Sequence, residues 1–256
     1  MKTTESGRRN FLLQALAAGG AALLAGCDRL SRTEWFPQML ASAERLTQGA
    51  QRLVTSRKSM AQEFTEADLS PTFRSNGTAN PDDPAYRALA AKDFAAYRLA
   101  VSGLVDKPRS FSLAELRALP SRTQITRHDC VEGWSAIGKW KGAQLSALLD
   151  AVQPKPEARY LVFYCADPMN DSGTKYYESI DMEDALHPQT LLAYELNDQR
   201  LPIANGAPIR LRVERQLGYK MAKYVMAIEF VSRFDHIAGG KGGYWEDRGY
   251  EWFAGI

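Results

Sequence analysis

The sequence predicts an α+β domain built from mixed or antiparallel β-sheets and short helices. Short segments that alternate between apolar and polar residues read as strands. Between them lie short stretches whose apolar residues have helical spacing. The two kinds of segment follow no regular strand–helix–strand rhythm, so the pattern does not indicate a parallel α/β sheet.

Composition narrows the class of protein. The chain has 256 residues, 45% of them hydrophobic, which supports one large domain or one domain with an arm. The 32 basic and 30 acidic residues leave a formal net charge of +2. Binding to nucleic acid usually needs a strong basic excess, so we expect no nucleic-acid partner.

Residues 1–26 are predicted to be an export signal and not part of the fold. Arg8 and Arg9 precede a short apolar run, as in twin-arginine signals, which export folded proteins. The run is too short and too rich in Gly and Ala for a good membrane span. It ends in "LLAGC", which is typical of lipoprotein processing, so we expect lipidation at Cys27 and a periplasmic protein anchored at the inner membrane. Plain secretion after cleavage near Ala25 is the alternative.

An amphipathic helix is predicted after the anchor, because apolar residues recur on one helical face between residues 33 and 63. These residues are Phe36, Met39, Leu40, Ala43, Leu46, Ala50, Leu53 and Val54. A coil rich in Pro, Asn, Asp and Gly follows, and a loop of this length usually has a function. We place the anchor and helical spacer at residues 27–70 and the folded domain at residues 71–256.

The first half of the domain contains two strand patterns and two helix patterns. The segment "AYRLAVSGLV" predicts a strand, and "SLAELRALP" predicts a short helix with a capping box between Ser112 and Glu115. The segment "SRTQITRHDCVEG" predicts a strand that runs into a turn. The segment "GAQLSALLDAV" predicts a second helix. Its apolar residues are Leu145, Leu148, Leu149 and Val152.

The second half contains more strand patterns. A buried strand is predicted in "ARYLVFYCA", a short helix capped by Asp181 in "DMEDALHP", and a strand with a turn in "LLAYELNDQRLP". Two further strands, "APIRLRVER" and "YVMAIEFV", are joined by "QLGYKMAK". The tail "GGKGGYWEDRGYEWFAGI" is aromatic and rich in glycine, and its position stays open.

The stretch "TRHDCVEGWSAIGKW" sets Cys130 between charged residues and two tryptophans. Four hypotheses compete for this thiol. A disulfide with Cys165 is the first, since both cysteines would lie in an oxidising compartment. A nucleophile paired with His128 is the second, but no third group is evident to orient the imidazole.

The remaining two hypotheses for Cys130 involve a metal. A zinc or copper site needs several protein ligands, and the usual ligand spacing is absent. The candidates for it are His128, Cys130, Cys165, His187 and His236. Alternatively, Cys130 is a single thiolate ligand to a soft metal whose other ligands come from an organic cofactor.

Three motifs resemble those of one enzyme family. The segment "RHDCVEGWSAIGKWKG" resembles the cysteine loop of the sulfite-oxidase-fold molybdenum enzymes, and is most similar to the branch of exported bacterial methionine sulfoxide reductase catalytic subunits. The stretch "HPQTLLAYELNDQRLPIANGAPIRLRVERQLGYKMAKYVMAIEF" is similar to the family's later motifs. The segment "FRSNGT" resembles an asparagine-bearing loop. The matches follow the family's order between residues 70 and 231.

The resemblance implies the sulfite-oxidase (molybdopterin-binding) fold and a Mo-molybdopterin cofactor. It implies that Cys130 ligates molybdenum, together with the pterin dithiolene and oxo or hydroxo groups. The implied cofactor-binding residues are Asn76, Cys165, Asn205, Arg210, Met221, Ala222 and Lys223. Tyr219 and Glu132 complete the expected catalytic set with Cys130, and Lys220 is a further candidate for substrate contacts.

The sequence departs from the sulfoxide reductase relatives at Glu214, Arg215, Gln216 and Leu217, which stand where those relatives have an aromatic-lysine-tyrosine element. We therefore expect a different substrate mouth. The expected function is two-electron oxygen-atom transfer on a small sulfur-containing or related substrate. The sequence has no C-x-x-C-H haem motif, so we expect electrons to be exchanged with a separate membrane haem or quinone-linked partner. The alternative is a non-catalytic, lipid-anchored binding module that retains the fold.

Overall fold

The computed structural model describes residues 33, 35–56, 59–170 and 173–256. The chain divides into two compact units, and the second begins at Thr55. The first unit contains helix α1 (Trp35–Val54), and the amphipathic role of this segment stays a prediction. The predicted signal peptide and Cys27 lie outside the described residues. Among the residues described, no helix combines the length and apolar content that crossing a membrane requires.

The strands of the second unit form two five-stranded sheets in the described part of the chain. They are β1 (Arg98–Gly103), β2 (Arg109–Ser112), β3 (Ser121–Cys130), β4 (Trp134–Gln144), β5 (Tyr160–Pro168), β6 (Lys175–Asp181), β7 (Leu191–Leu196), β8 (Gln199–Arg200), β9 (Arg210–Arg212) and β10 (Val225–Val231). The helices are α2 (Pro84–Ala90), α3 (Leu113–Ala118), α4 (Leu145–Val152) and α5 (Met182–Ala185). Short 3₁₀ turns lie at Glu66–Asp68, Ile203–Asn205, Gly218–Lys220 and Glu246–Arg248.

The first sheet has the order β2-β1-β10-β5-β6. It is mixed, because β1 and β10 are parallel while the other neighbouring strands of the sheet are antiparallel. The second sheet has the order β3-β4-β7-β8, with β9 also paired to β7, and is antiparallel. Mixed sheets joined by short helices confirm the predicted α+β class.

Local sequence explains the helices. Ser112 and Glu115 form the predicted capping box at the start of α3. Asp181 caps α5 by accepting a hydrogen bond from the backbone N–H of Asp184. Helix α4 buries the four apolar residues whose spacing predicted it, because positions three and four apart share one helical face. All four belong to the main hydrophobic core, which also includes residues of the first sheet.

A strap (residues 59–78) bonds to both β3, the edge strand of the second sheet, and its neighbour β4. The N–H of Phe64 donates to the carbonyl of Ile125 at 2.8 Å, and the N–H of Ser70 donates to Ile137 at 3.1 Å. The first bond satisfies a backbone group that the edge strand β3 would otherwise expose, and the second satisfies one of β4 outside the part paired with β7.

The strap from Asp68 onward belongs to the polar coil seen in the sequence, whereas residues 59–63 fell in the segment predicted to be helical, and the helix ends earlier, at Val54. The strap brings Asn76 to the same cavity as Cys130 at the end of β3. The domain boundary that we place at residue 71 stays a prediction.

Candidate active site

A cavity of about 170 Å³ opens beside the end of β3. It is lined by Asn76, Gly77, Thr78, Cys130, Val131, Glu132, Asp167, Met169, Tyr176, Gly218, Tyr219, Met221, Lys223, Trp245 and Tyr250. Four of these residues were implied by the resemblance and two more, Glu132 and Tyr219, were candidates for catalysis, and the six come from three segments far apart in the chain. The strap supplies one wall, the β3–β4 turn supplies the second, and the segment after Leu217 supplies the third.

Cys130 ends β3 and pairs across the turn with Trp134 in β4. Its thiol is free and partly buried, and burial raises its pKa. Glu132 lies in the same turn, where its carboxylate accepts a 3.0 Å hydrogen bond from Nε1 of Trp134. A thiol with a raised pKa is a poor nucleophile, whereas a bound metal ion would deprotonate it outright.

His128 does not activate this thiol. The imidazole is completely buried, and its Nδ1 lies 3.0 Å from Nη1 of Arg212 and 3.2 Å from Sδ of Met221. Burial and the charges of Arg212, Arg210 and Lys223 hold the pKa of His128 well below its usual value. A neutral ring whose Nδ1 already accepts from a guanidinium has no bond to Cys130, so the geometry does not support the cysteine-nucleophile hypothesis.

The disulfide and the zinc or copper site at Cys130 also lack structural support. Cys130 and Cys165 are both free, so the disulfide hypothesis is wrong. Cys165 lies in the main core, buried in β5, and does not line the cavity. Within the described parts of the chain, no three His, Cys, Asp or Glu side chains are grouped to hold a metal ion without other ligands.

Two buried cations lie behind the cavity. Arg210 is fully buried in β9, and its guanidinium donates to the carbonyls of Asn205 (3.0 Å) and Met221 (3.2 Å). Burial and the neighbouring Arg212 lower the pKa of Arg210 to about 9. Neither hydrogen bond neutralises the guanidinium, and a buried charge without a counter-ion is costly.

Lys223 is the second cation, and it reaches the cavity surface. Its Nζ donates to the carbonyl oxygens of Asn76 (2.6 Å), Ala204 (3.0 Å) and Thr78, which tie the strap to the 3₁₀ turn at Ile203–Asn205. Burial and Arg210 lower the pKa of Lys223 to about 7. An anion bound near both cations would offset these costs, and phosphate fits a forked guanidinium with an ammonium.

Several buried polar atoms around the cavity have no partner among the described residues. They are Oδ1 of Asn76, Oδ1 of Asp167, Nδ2 of Asn205 and Nε of Arg210. Buried polar groups are almost always hydrogen-bonded, so these donors and acceptors indicate a missing polar ligand. A ligand that carries a phosphate and a heterocycle with ring nitrogens would satisfy both kinds of atom, so the residues present fit molybdopterin.

Asp167 and the tail are parts of the site that sequence reasoning missed. Asp167 follows the buried strand pattern directly, and burial raises its pKa to about 6. Trp245 and Tyr250 belong to the tail, and their rings stack with centroids 5.3 Å apart. Tyr250 also meets Tyr219 edge to face at 5.2 Å. A carboxylate after a buried strand was a usable signal, whereas nothing local placed the tail here.

The fold, the lone thiol and the buried cations define a class of protein. Residues 87–236 match the family described as "Oxidoreductase molybdopterin binding domain". The chain belongs to this family and is a molybdopterin-dependent oxidoreductase. The family match confirms the molybdopterin-binding fold and the cofactor that the resemblance implied.

Individual relatives refine the comparison. The chain is 39% identical to an Azospira oryzae protein provisionally named protein-methionine-sulfoxide reductase subunit YedZ1, over 97% of this chain and 87% of the relative. It is 33% identical to the protein-methionine-sulfoxide reductase catalytic subunit MsrP of Xanthomonas axonopodis pv. citri, over 90% of this chain and 72% of the relative. The crystal structure of sulfane dehydrogenase SoxCD from Paracoccus pantotrophus is similar with a TM-score of 0.48 and 25% identity, covering 54% of this chain and 39% of that one.

Proposed function

We propose that the chain is the catalytic subunit of an exported reductase that acts on methionine sulfoxide in proteins. The observation that carries the proposal is the cavity, which sets one unpaired thiol beside a buried cation pair and an apolar mouth. The names of the relatives supply the substrate, since two of them are subunits of protein-methionine-sulfoxide reductases.

Different residues are proposed to bind different parts of the cofactor. Cys130 is proposed as the thiolate ligand of molybdenum, and Arg210 and Lys223 as the groups that hold the phosphate. Asn76 and Asn205 offer the unpaired polar atoms described above. Met221 and Ala222 lie in the turn between the two cations, and Cys165 precedes Asp167 by two residues in the same strand. Of these proposed residues, Cys130, Asn76, Met221 and Lys223 line the cavity, whereas Cys165, Asn205, Arg210 and Ala222 do not.

When bound, molybdenum-molybdopterin supplies two-electron oxygen-atom transfer. The balanced reaction takes a sulfoxide, two protons and two electrons to a thioether and water. Glu132 and Tyr219 flank Cys130 at the cavity surface, and Glu132 can hold or release a proton there. The phenol of Tyr219 donates to the carbonyl of Glu251 at 2.6 Å, so its ring is fixed against the cavity.

A neutral substrate suits this mouth better than an oxyanion. Among the described residues that line the cavity, Lys223 is the one basic side chain, and its ammonium is assigned above to the phosphate of the cofactor. Recognition of sulfite or a similar anion would call for free cationic groups at the point of entry. A sulfoxide carries a dipole but no net charge, and its methyl group can contact aromatic rings.

Export and an external electron source complete the proposal. The paired arginines and the "LLAGC" motif support twin-arginine export, lipidation of Cys27 and a periplasmic position at the inner membrane. We propose a membrane haem or quinone-linked protein as the electron partner, because the relatives are named as subunits. A lipid anchor would hold the domain close to such a partner.

The test is turnover by protein purified from a host that makes molybdopterin, with a reduced viologen as electron donor. We expect about one molybdenum per chain and reduction of a methionine-sulfoxide peptide. In Cys130→Ser, molybdenum and turnover are expected to fall together, since one thiolate ligand is lost. A loaded wild type that oxidises sulfite but leaves the peptide unchanged would overturn the sulfoxide assignment. Wild type without molybdenum would leave the non-catalytic binding module as the function.

A further inference from the structure

The tail (residues 237–256) folds back onto the domain and is bonded to it at several points. The hydroxyl of Ser179 in β6 donates to the carbonyl of Gly242 (2.5 Å) and accepts from Nε1 of Trp252 (2.8 Å). The phenol of Tyr177 donates to the carboxylate of Asp247 at 2.6 Å. Near the end of the chain, the N–H of Ala254 donates to the side chain of Gln216 at 3.1 Å. The tail is therefore an integral wall of the domain.

A buried triad (Glu178, Lys220 and Glu246) is a further attachment point. Nζ of Lys220 lies 2.5 Å from Oε1 of Glu178 and 2.6 Å from Oε1 of Glu246, and all three side chains are buried from solvent. Gly243 allows this approach, because a Cβ there would lie 2.0 Å from Oε2 of Glu246. The triad joins three segments, namely β6, the Gly218–Lys220 turn and the tail. Glu246 of the triad directly follows Trp245 in the sequence, so the buried ion pair is adjacent to this residue.

The attached tail presents an aromatic wall to the cavity. The wall consists of Tyr219, Trp245 and Tyr250, all of which line the cavity together with Cys130. The stacked pair of Trp245 and Tyr250 and the edge-to-face pair of Tyr250 and Tyr219 fix the orientation of the three rings. Val131 and Glu132 line the same cavity. A substrate that reaches the thiol must therefore share the cavity with aromatic rings.

Aromatic rings favour sulfur-bearing, weakly hydrated groups, because sulfur contacts ring edges favourably. The same wall disfavours oxyanions, because they lose hydrating water on entering, and Lys223, the one basic side chain among the described cavity-lining residues, is assigned to the phosphate of the cofactor. We propose that the tail is the specificity element of this enzyme: Trp245 and Tyr250 contact the methyl sulfoxide group of the substrate, and the buried triad positions them. This inference rests on the proposed function and names its substrate class as neutral methyl sulfoxides.

The test compares steady-state constants of the loaded enzyme on a methionine-sulfoxide peptide, with reduced viologen as donor. We expect Trp245→Ala to raise KM about tenfold, because the substrate loses one aromatic contact and the surface area buried by it. The kcat and the molybdenum content should stay within about twofold. Trp245→Phe should recover most of the affinity, because it keeps a ring in the wall. A Trp245→Ala variant that loses kcat with an unchanged KM would overturn the inference.

Trp252→Phe is the matched control. Trp252 belongs to the same tail but stacks on Phe234, with ring centroids 5.8 Å apart, and does not line the cavity. We expect the KM of Trp252→Phe to equal that of the wild type, even if the Trp252–Ser179 hydrogen bond is lost and the domain is less stable. An equal rise of KM in Trp252→Phe and Trp245→Ala would mean that the wall only supports the fold.

Glu246→Ala tests the positioning role of the triad. We expect it to raise KM in the same direction as Trp245→Ala, and the double variant to show no further rise, because Glu246 acts through Trp245. Additive effects would contradict this role. The wild type separates the two proposals: a loaded wild type that reduces no sulfoxide overturns the proposed function and this inference with it. A wild type that reduces the peptide while Trp245→Ala behaves identically overturns the inference alone.

Discussion

At the scale of residues, the site is a set of buried polar groups whose partners are incomplete. Arg210 and Lys223 carry positive charge away from water, and Asp167 is a buried carboxyl with one unpaired oxygen. Each group costs free energy in the cofactor-free protein. Such costs are typical of functional sites, where side chains are arranged for a ligand and not for stability.

Asp167 allows a prediction about pH. Its pKa is about 6 in the fold against a usual value of 3.8, so the native state binds more protons than the unfolded state between these values. The free energy of unfolding therefore falls as pH rises through this window, by up to roughly 3 kcal/mol from this one group. We expect cofactor-free Asp167→Asn to match the wild type near pH 4 and to be more stable near pH 7.

Denaturant unfolding of the two cofactor-free proteins at several pH values measures this difference. The matched control is Asp82→Asn, because Asp82 is exposed. Asp181 is less suitable, since its side chain caps a helix. We expect Asp82→Asn to follow the wild type at every pH. A constant gap between wild type and Asp167→Asn from pH 4 to pH 7 would show that folding does not raise the pKa of Asp167.

At the scale of elements, the site depends on how closely the Gly218–Lys220 turn approaches β3. A Cβ at Gly218 would lie 2.4 Å from Nε2 of His128 and 3.1 Å from the carbonyl of Asp129, next to Cys130. Only glycine fits between this turn and the strand. The approach brings Tyr219 and Met221 into the same cavity as the thiol.

We therefore predict that Gly218→Ala moves the turn away from β3 and weakens cofactor retention. The methyl group cannot be accommodated without a shift, because the neighbouring imidazole is itself held by Arg212. Molybdenum and pterin content per folded chain should fall severalfold, with a smaller change in circular dichroism. Gly49→Ala is the control, since a Cβ there meets nothing within 4 Å, and it should retain the cofactor like the wild type. Full occupancy in Gly218→Ala would show that the approach is not required.

At the scale of the whole molecule, the sequence predicted those features of the fold that depend on residues close together in the chain. Strand alternation, the Ser112 capping box and the apolar face of α4 each depend on neighbouring residues, and the α+β class followed from them. Cys130, Lys223 and Asn76 lie far apart in the sequence, and only the family resemblance predicted that they belong to one site.

The unpredicted parts depend on topology. The tail leaves β10, whose neighbours in the first sheet are β1 and β5, and reaches β6 through hydrogen bonds to Tyr177 and Ser179. No periodicity in the tail itself encodes this position. The polar composition predicts a functional loop for the later part of the strap. The pairing of its first part with β3 depends on that strand being the sheet edge, which single-sequence patterns do not specify.

The stability of the whole domain is expected to depend on an anion at the cation pair. Buried Arg210 and Lys223 repel each other in the cofactor-free protein, and an anion that binds only the folded state stabilises it by mass action. We predict that inorganic phosphate raises the Tm of the cofactor-free protein by about 2–4 °C, which corresponds to about 1 kcal/mol for a domain of this size. Sodium chloride at equal ionic strength should give a smaller shift.

Arg210→Lys separates this effect from general screening. Lysine keeps the charge but lacks the planar fork, so the phosphate-dependent shift should shrink while the chloride-dependent shift stays the same. Arg200→Lys, at an exposed ion pair with Asp93, is the matched control and should respond to phosphate as the wild type does. If phosphate and chloride shift all three proteins equally, the cation pair binds no anion in the folded domain, and the phosphate-holding role given to Arg210 and Lys223 is wrong.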